Sequence, residues 1–151
     1  MDAIRYFTGE YRFLSNFYLT PVHFMGLEYP SSENAFQAMK TTDQKIRANI
    51  RSMTPAMAKR YGRTITLRPE WERDKDEAML DIIRAKFTNP GLRAALSRTG
   101  TRYLFEGNNW HDRYWGICDG HCRTPHNLPE GQNKLGKILE QVRFEIWKNQ
   151  P

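Results

Sequence analysis

Residues 29–40, YPSSENAFQAMK, are the stretch on which the reading of this chain turns. Pro30 followed by Ser31 and Ser32 predicts a helix start, because a serine hydroxyl can accept from the free N–H groups of a first turn. Beyond that start Glu33, Gln37 and Lys40 fall at i, i+4 and i+7, so a carboxylate, an amide and an ammonium would share one helical stripe. Phe36 and Met39, with Ala35 and Ala38, border the stripe with apolar surface. A carboxylate among such neighbours reads as aimed; the plainer alternative is the general preference of Glu for a first turn, where the macrodipole favours an anion.

Moving toward the N-terminus, residues 22–29 with Met25-Gly26 at their centre predict a short hairpin that runs into the helix. IRYF (4–7) and YRFLSNFY (11–18) have the aromatic and β-branched character of short strands, with Gly9 marking a turn between them. Ser15 and Asn16 interrupt the second run with small hydrogen-bonding groups, which suit either a bend or a ligand contact.

On the other side, TDQKIRANIRS (42–52) predicts a helix with a Thr or Asp cap and Ile46 and Ile50 on one face, and Thr54-Pro55 starts another that Gly62 closes. PEWERDKDEAMLDIIRAKF (69–87) places Trp71, Met79, Ile82, Ile83 and Phe87 on one side, the pattern of a long amphipathic helix. Asn89-Pro90 opens a short helix that Gly100 ends, and RYLFE (102–106) reads as a strand that delivers Glu106 to an irregular stretch. From 107 to 131 glycine, proline, aromatic and histidine residues follow without a period, as functional loops do. The last helix, about 132–148, carries Leu135, Ile138, Leu139, Val142 and Ile146 on a core-facing stripe. These elements predict a mostly α fold with a small antiparallel β component, or α+β, in one domain over 1–151.

The bulk properties narrow the function classes. A chain of 151 residues can bury a core without staples. It has no charged-then-apolar leader and no run of about 18 apolar residues, which predicts a soluble cytoplasmic protein without a membrane partner. Two cysteines, Cys118 and Cys122, are too few for a disulfide framework and fit a reducing compartment. Lysine and arginine exceed aspartate and glutamate by 23 to 17, a net +6, which favours an anionic partner. The excess is spread through Lys40, Lys45, Arg47, Arg51, Lys59, Arg60, Arg63 and Arg68, so it suits a phosphate pocket as well as a nucleic-acid groove.

Three carboxylates stand in informative places: Glu33, Glu106 at a strand end, and Asp112 in the aromatic loop. A carboxylate pair is what hydrolysis of a glycosidic bond requires, one group stabilising a sugar cation while water is activated. Loop solvation or a salt bridge accounts for Glu106 and Asp112 equally well at this level. WHDRYWG (110–116) brackets Asp112 with Trp110 and Trp115, a composition that can stack a flat heterocycle or anchor a core. CDGHC (118–122), with His111 and His126, offers soft ligands for zinc but lacks the second paired set that makes such a motif specific. GQNKLG (131–136) lacks the ending of a triphosphate loop, although N–H groups at a helix start could hold one phosphate.

Taken together, FLSNFY, YPSSENAFQAMK, the helix ending in AKF, LFEGNNWHDRYWG and GQNKLGKILEQVR resemble the YbiA-like, or NADAR, family over nearly the whole chain and in the family's order. The resemblance implies an N-glycosidase. Bacterial members are associated with ribosylamino-pyrimidine phosphates of early riboflavin synthesis, others with removal of ADP-ribose from modified guanine. It implies Glu33 and Asp112 as catalytic residues, in a site between the helix and the aromatic loop. It also implies a substrate-binding set of Phe13, Ser15, Asn16, Gln37, Lys40, Trp110, Trp115, Gly116 and Asn133. Lys40 and nearby arginines would hold a phosphate, and positive charge near Glu33 would keep it ionised. No metal or organic cofactor is implied, and the partner would be a small nucleotide, an ADP-ribosylated molecule or ADP-ribosylated nucleic acid. Two other readings use the same surface: an ADP-ribose-binding module without catalysis, and a nucleic-acid-binding protein. The chain departs from the family at Cys118, where glycine is frequent, and in a longer GHCRTPHNLPE connection, which bears on loop shape and substrate choice.

Overall fold

A computed structural model describes residues 2–118 and 130–150. The chain divides into two compact units, one of Asn16–Asn89 and the other of Met1–Ser15 with Pro90–Pro151.

The middle unit is built around the quoted stretch. Strands β1 (Val22–Phe24) and β2 (Leu27–Tyr29) pair antiparallel, with Val22 opposite Tyr29. Their turn places both Met25 (φ 50°) and Gly26 (φ 82°) in the left-handed region, the turn whose twist matches a hairpin. The hairpin delivers the fully buried Tyr29 to α1 (Ser32–Ala38), as the sequence predicts. Ser31 is the cap: its Oγ accepts from Asn34 N at 3.2 Å and donates to Asn34 Oδ1 at 2.6 Å.

Every residue from 31 to 39 is buried, so α1 is a core helix whose polar row is enclosed together with its apolar one. It is also shorter than expected. Arginines take up the carbonyls at its end, Arg47 Nε donating to Ala38 O (3.2 Å) and Thr41 O (2.9 Å), and Arg68 Nε to Met39 O (2.8 Å). With those carbonyls satisfied from the side the helix stops at Ala38. Lys40 therefore lies beyond it, and the predicted polar row is helical only from Glu33 to Gln37.

Around α1 pack α2 (Gln44–Arg51), capped by Asp43, α3 (Pro55–Gly62), capped by Thr54 with Pro at its start, and α4 (Trp71–Lys86). Trp71, Met79, Ile82 and Ile83 of α4 are buried as their spacing requires, and the Phe36 ring tilts against Trp71 at 5.1 Å. Each of these side chains contributes about 1.5–3 kcal/mol by leaving water.

In the other unit, β3 (Ala3–Ile4) pairs parallel with β4 (Tyr103–Leu104). The second N-terminal strand expected at 11–18 is absent. Residues 9–14 form a short 3-10 helix opened by Gly9 at φ 57°, and local acceptors satisfy its neighbours, as in Tyr11 N to Thr8 O at 3.0 Å and Ser15 N to Arg12 O at 2.9 Å. Helix α5 (Pro90–Arg98) ends near Gly100 at φ 67°. Strands β5 (Gly107–Asn108) and β6 (Ile117–Cys118) again run parallel.

Helix α6 (Lys134–Lys148) buries Leu135, Leu139, Val142 and Ile146, with Ile138 half-buried. Arg143 Nη1 reaches Thr99 Oγ1 at 2.8 Å and Trp147 Nε1 reaches Ser97 Oγ at 2.8 Å, tying α6 to α5. The fold is thus mostly helical with a small β component. Of the strand pairs among the described residues only β1 with β2 is antiparallel. No helix of the described residues is long and apolar enough to cross a membrane.

Candidate active site

Glu33 stands in the first turn of α1 and is only 7% exposed. A carboxylate so placed needs partners. Gln37, one turn on and 5% exposed, donates from Nε2 to Glu33 Oε1 at 2.8 Å. The backbone at Glu33 is fixed from outside the helix, its N–H donating to Asn16 O at 3.0 Å. Ser32 Oγ donates to Asn16 Oδ1 at 2.9 Å, and Asn16 Nδ2 points at Met79 Sδ at 3.5 Å. Asn16, open in sequence between bend and ligand contact, therefore works in this structure as an external cap that anchors α1. Asn34 holds the opposite side, donating to Ile50 O and Met53 O, both at 2.9 Å.

Lys40 is half-buried and donates from Nζ to Gly62 O at 3.3 Å. Burial lowers its affinity for a proton, while Glu33 is the leading influence that raises it and Glu72 acts the same way; Arg63 and Lys59 push it down again. Two carboxylates, Glu33 and Glu72, the Gln37 amide, and the cationic Lys40, Lys59 and Arg63 thus interact electrostatically or by hydrogen bonds. Lys59 also lies over the Phe17 ring at 5.6 Å.

Sequence reasoning missed Lys86. At the end of α4 a lysine reads as an ordinary partner for the helix dipole, yet it is 1% exposed and burial pushes its amine down to about 7. Its Nζ lies 5.9 Å from the Tyr18 ring centroid and 5.4 Å from that of Phe87. The one signal available was its place inside AKF, between two residues of an otherwise apolar run.

In the other unit the aromatic loop is organised by Asn108. Its Nδ2 donates to Asp112 O at 2.9 Å while its Oδ1 accepts from Asp112 N at 3.0 Å. Asp112 Oδ1 then accepts from Tyr114 N (3.1 Å) and Trp115 N (2.9 Å). The carbonyls that follow meet the start of α6: Arg113, Gly116, Tyr114 and Trp115 accept from Gln132, Asn133, Lys134 and Leu135 in turn, at 2.7–3.2 Å. The N–H groups of residues 132–135, among those the sequence offers to a phosphate, are therefore occupied by the loop.

The Asn133 side chain is equally engaged, Oδ1 accepting from Glu106 N at 3.0 Å and Nδ2 donating to Leu104 O at 2.8 Å. Gly116 is required by close packing, because a β-carbon there would overlap the Glu106 carboxylate and carbonyl. Tyr114 and Trp115 meet edge to face at 4.8 Å, Lys134 lies 4.5 Å over Tyr114, and Trp110 is exposed. Phe13 and Ser15, around the end of the 3-10 helix, are half-buried.

Among the described residues no three His, Cys, Asp or Glu side chains converge as a metal site. Cys118 is buried, with its Sγ 3.7 Å from His111 Nδ1. His121, Cys122 and His126, the other members of the zinc hypothesis, lie outside the described residues. An open cleft of about 490 Å³ in the middle unit is lined by Pro21, Glu28, Tyr29, Pro30, Ala48, Arg51 and Ser52, none of them a predicted site residue.

The motifs lie in the order the resemblance requires, and the family model for the NADAR domain matches residues 6–147. The chain belongs to the NADAR family. This NADAR chain is 37% identical over 143 residues to the N-glycosidase YbiA of Escherichia coli (strain K12), covering 92% of this chain and 84% of that protein. It is 35% identical over 144 residues to a riboflavin biosynthesis protein of Vibrio vulnificus (strain YJ016), of which the match covers 36%. The NMR structure of the E. coli protein YbiA superposes with a TM-score of 0.79 at 36% identity, over 97% of this NADAR chain and 86% of that one.

Proposed function

We propose that this NADAR chain is a cytoplasmic N-glycosidase that hydrolyses the bond between the ribose anomeric carbon and the exocyclic nitrogen of an amino-heterocycle, in a substrate carrying phosphate. The observation that carries the reading is Glu33: a carboxylate buried in a helix start, held by one amide and under the influence of Lys40. Such a group can stabilise an oxocarbenium ion as the carbon–nitrogen bond breaks, or take the proton of the water that attacks. In either case the bond to nitrogen breaks, water oxygen bonds to the anomeric carbon, and the proton that water gives up balances the one the departing nitrogen takes on to leave as an amine. Lys40, with Lys59 and Arg63, supplies positive charge suited to a phosphate or pyrophosphate.

Asp112 is assigned to positioning the ribose or base, and Trp115 to shaping the wall; both assignments rest on the resemblance. Relatives named N-glycosidase and riboflavin biosynthesis protein support the bond type and the pathway; ribosylamino-pyrimidine phosphates, with ADP-ribosylated guanine second, are the substrates that the family resemblance suggests. The deciding experiment incubates the protein with each compound in parallel and identifies products by mass. Ribose 5-phosphate or ADP-ribose should appear, and Glu33→Gln should lower its rate of release at least about 100-fold while folding normally. Binding of either compound with no release would reduce the chain to a recognition module.

A further inference from the structure

We propose that Gly62, the last residue of α3, is a positioning residue for Glu33: the side chain it lacks leaves the space in which the Gln37 amide is held against the carboxylate. The inference rests on the reading of Glu33 as the catalytic carboxylate. Gln37 Nε2 donates to Glu33 at 2.8 Å, and its other end, Oε1, is buried with no hydrogen-bond partner. A buried acceptor left unpaired is costly, so something must hold it there. Turning the amide over would set its oxygen against the carboxylate oxygen, so the anion fixes its orientation. A β-carbon on residue 62 would overlap Oε1 and come within 2.6 Å of Cδ. The Gly62 carbonyl, in turn, accepts from Lys40 Nζ at 3.3 Å.

The backbone gives no separate reason for glycine at this position. Gly62 is helical and not among the residues of positive φ, and Arg63, which caps α3, is right-handed. Alanine would favour the helix there. What requires glycine is the amide packed on its Cα. The amide cannot simply swing aside, because Gln37 is 5% exposed and its nitrogen is tied to Glu33. Lys40, which interacts with Glu33, also feels Lys59 of α3, Arg63 just beyond it and Glu72 of α4, while Arg47 of α2 is engaged by the carbonyls of Ala38 and Thr41. Tyr29, from β2, faces Arg47 and Arg51 instead.

The test is a carbon-13 NMR titration of the Glu33 carboxyl, assigned by its loss in Glu33→Gln, in the wild type, Gly62→Ala, Gln37→Ala and the double variant. Gly62→Ala should raise the carboxyl pKa by about one pH unit, and Gln37→Ala should do the same, since both remove a hydrogen bond to the charged form. The double variant should titrate like Gln37→Ala alone and melt no lower. An unchanged titration in folded Gly62→Ala overturns the proposal, and so does full additivity of the two shifts. If Gly62→Ala does not fold, the double variant decides: recovery of folding when Gln37 is also alanine supports the proposal, and failure to recover overturns it. The titration is read without substrate, so an absence of turnover on every compound tried would count against the catalytic reading while leaving the positioning result in place.

Discussion

Lys86 and Gln37 show how far a residue's role departs from its sequence context. Lys86 ends an amphipathic helix, where a basic residue is unremarkable, but its amine is enclosed and falls to about 7 from an ordinary 10.5. Between those values the unfolded chain keeps a proton that the folded chain has released, so stability rises with pH through that window. The benefit is complete above the unfolded value, is lost as pH falls toward about 7, and amounts to at most about 5 kcal/mol. Urea midpoints measured from pH 6.5 to 10 should climb in the wild type and climb much less in Lys86→Met; parallel curves would show that the amine is not enclosed. Gln37 is legible as a neighbour of Glu33 from its i+4 spacing, but the amide orientation that bonds the carboxylate is not, because it depends on a glycine 25 positions later.

At the scale of elements, helices were the most legible part. The long helices at 69–87 and 132–148 carry periodic faces and the shorter ones carry cap signals, and Asp43, Thr54 and Ser31 all accept from the N–H groups their positions predict. The 3-10 helix at 9–14 was read as strand because its aromatic side chains are those of a strand, while its local i to i−3 bonding leaves no mark on composition. The parallel pairing of β3 with β4 was hidden because it joins residues 4 and 104, and nothing in either short segment specifies the other. The latch between the aromatic loop and α6 was hidden for the same reason, since it is made by backbone groups.

Asp112 supports that latch, its carboxylate holding the N–H groups of Tyr114 and Trp115, whose carbonyls meet α6, and this structural duty can be separated from any chemical one. Asp112→Ala should cost about 1–2 kcal/mol by freeing the N–H groups of Tyr114 and Trp115. Asp112→Asn keeps an acceptor and should melt close to the wild type. If Asp112 also touches substrate through its charge, Asp112→Asn should lose turnover at unchanged melting temperature; retained turnover would confine it to the latch.

For the molecule as a whole, the net charge of +6 leaves open a small phosphate ligand and a long polyanion. Salt separates them, because each neutralised phosphate adds to the slope of log affinity against log salt. For a ribosylamino phosphate the slope should be about −1 to −2, measured calorimetrically at several salt concentrations; a slope several-fold steeper with an oligonucleotide, and tighter binding of it, would favour nucleic acid. The division into units carries a further consequence, for biosynthesis. Residues 16–89 form an uninterrupted segment, whereas the other unit joins the first fifteen residues to residues 90–151. On the ribosome the middle segment can therefore acquire its core while the opening residues still wait for their partner strand. Translation stalled soon after residue 89 has emerged should yield a nascent chain whose centre resists protease and whose leading end does not.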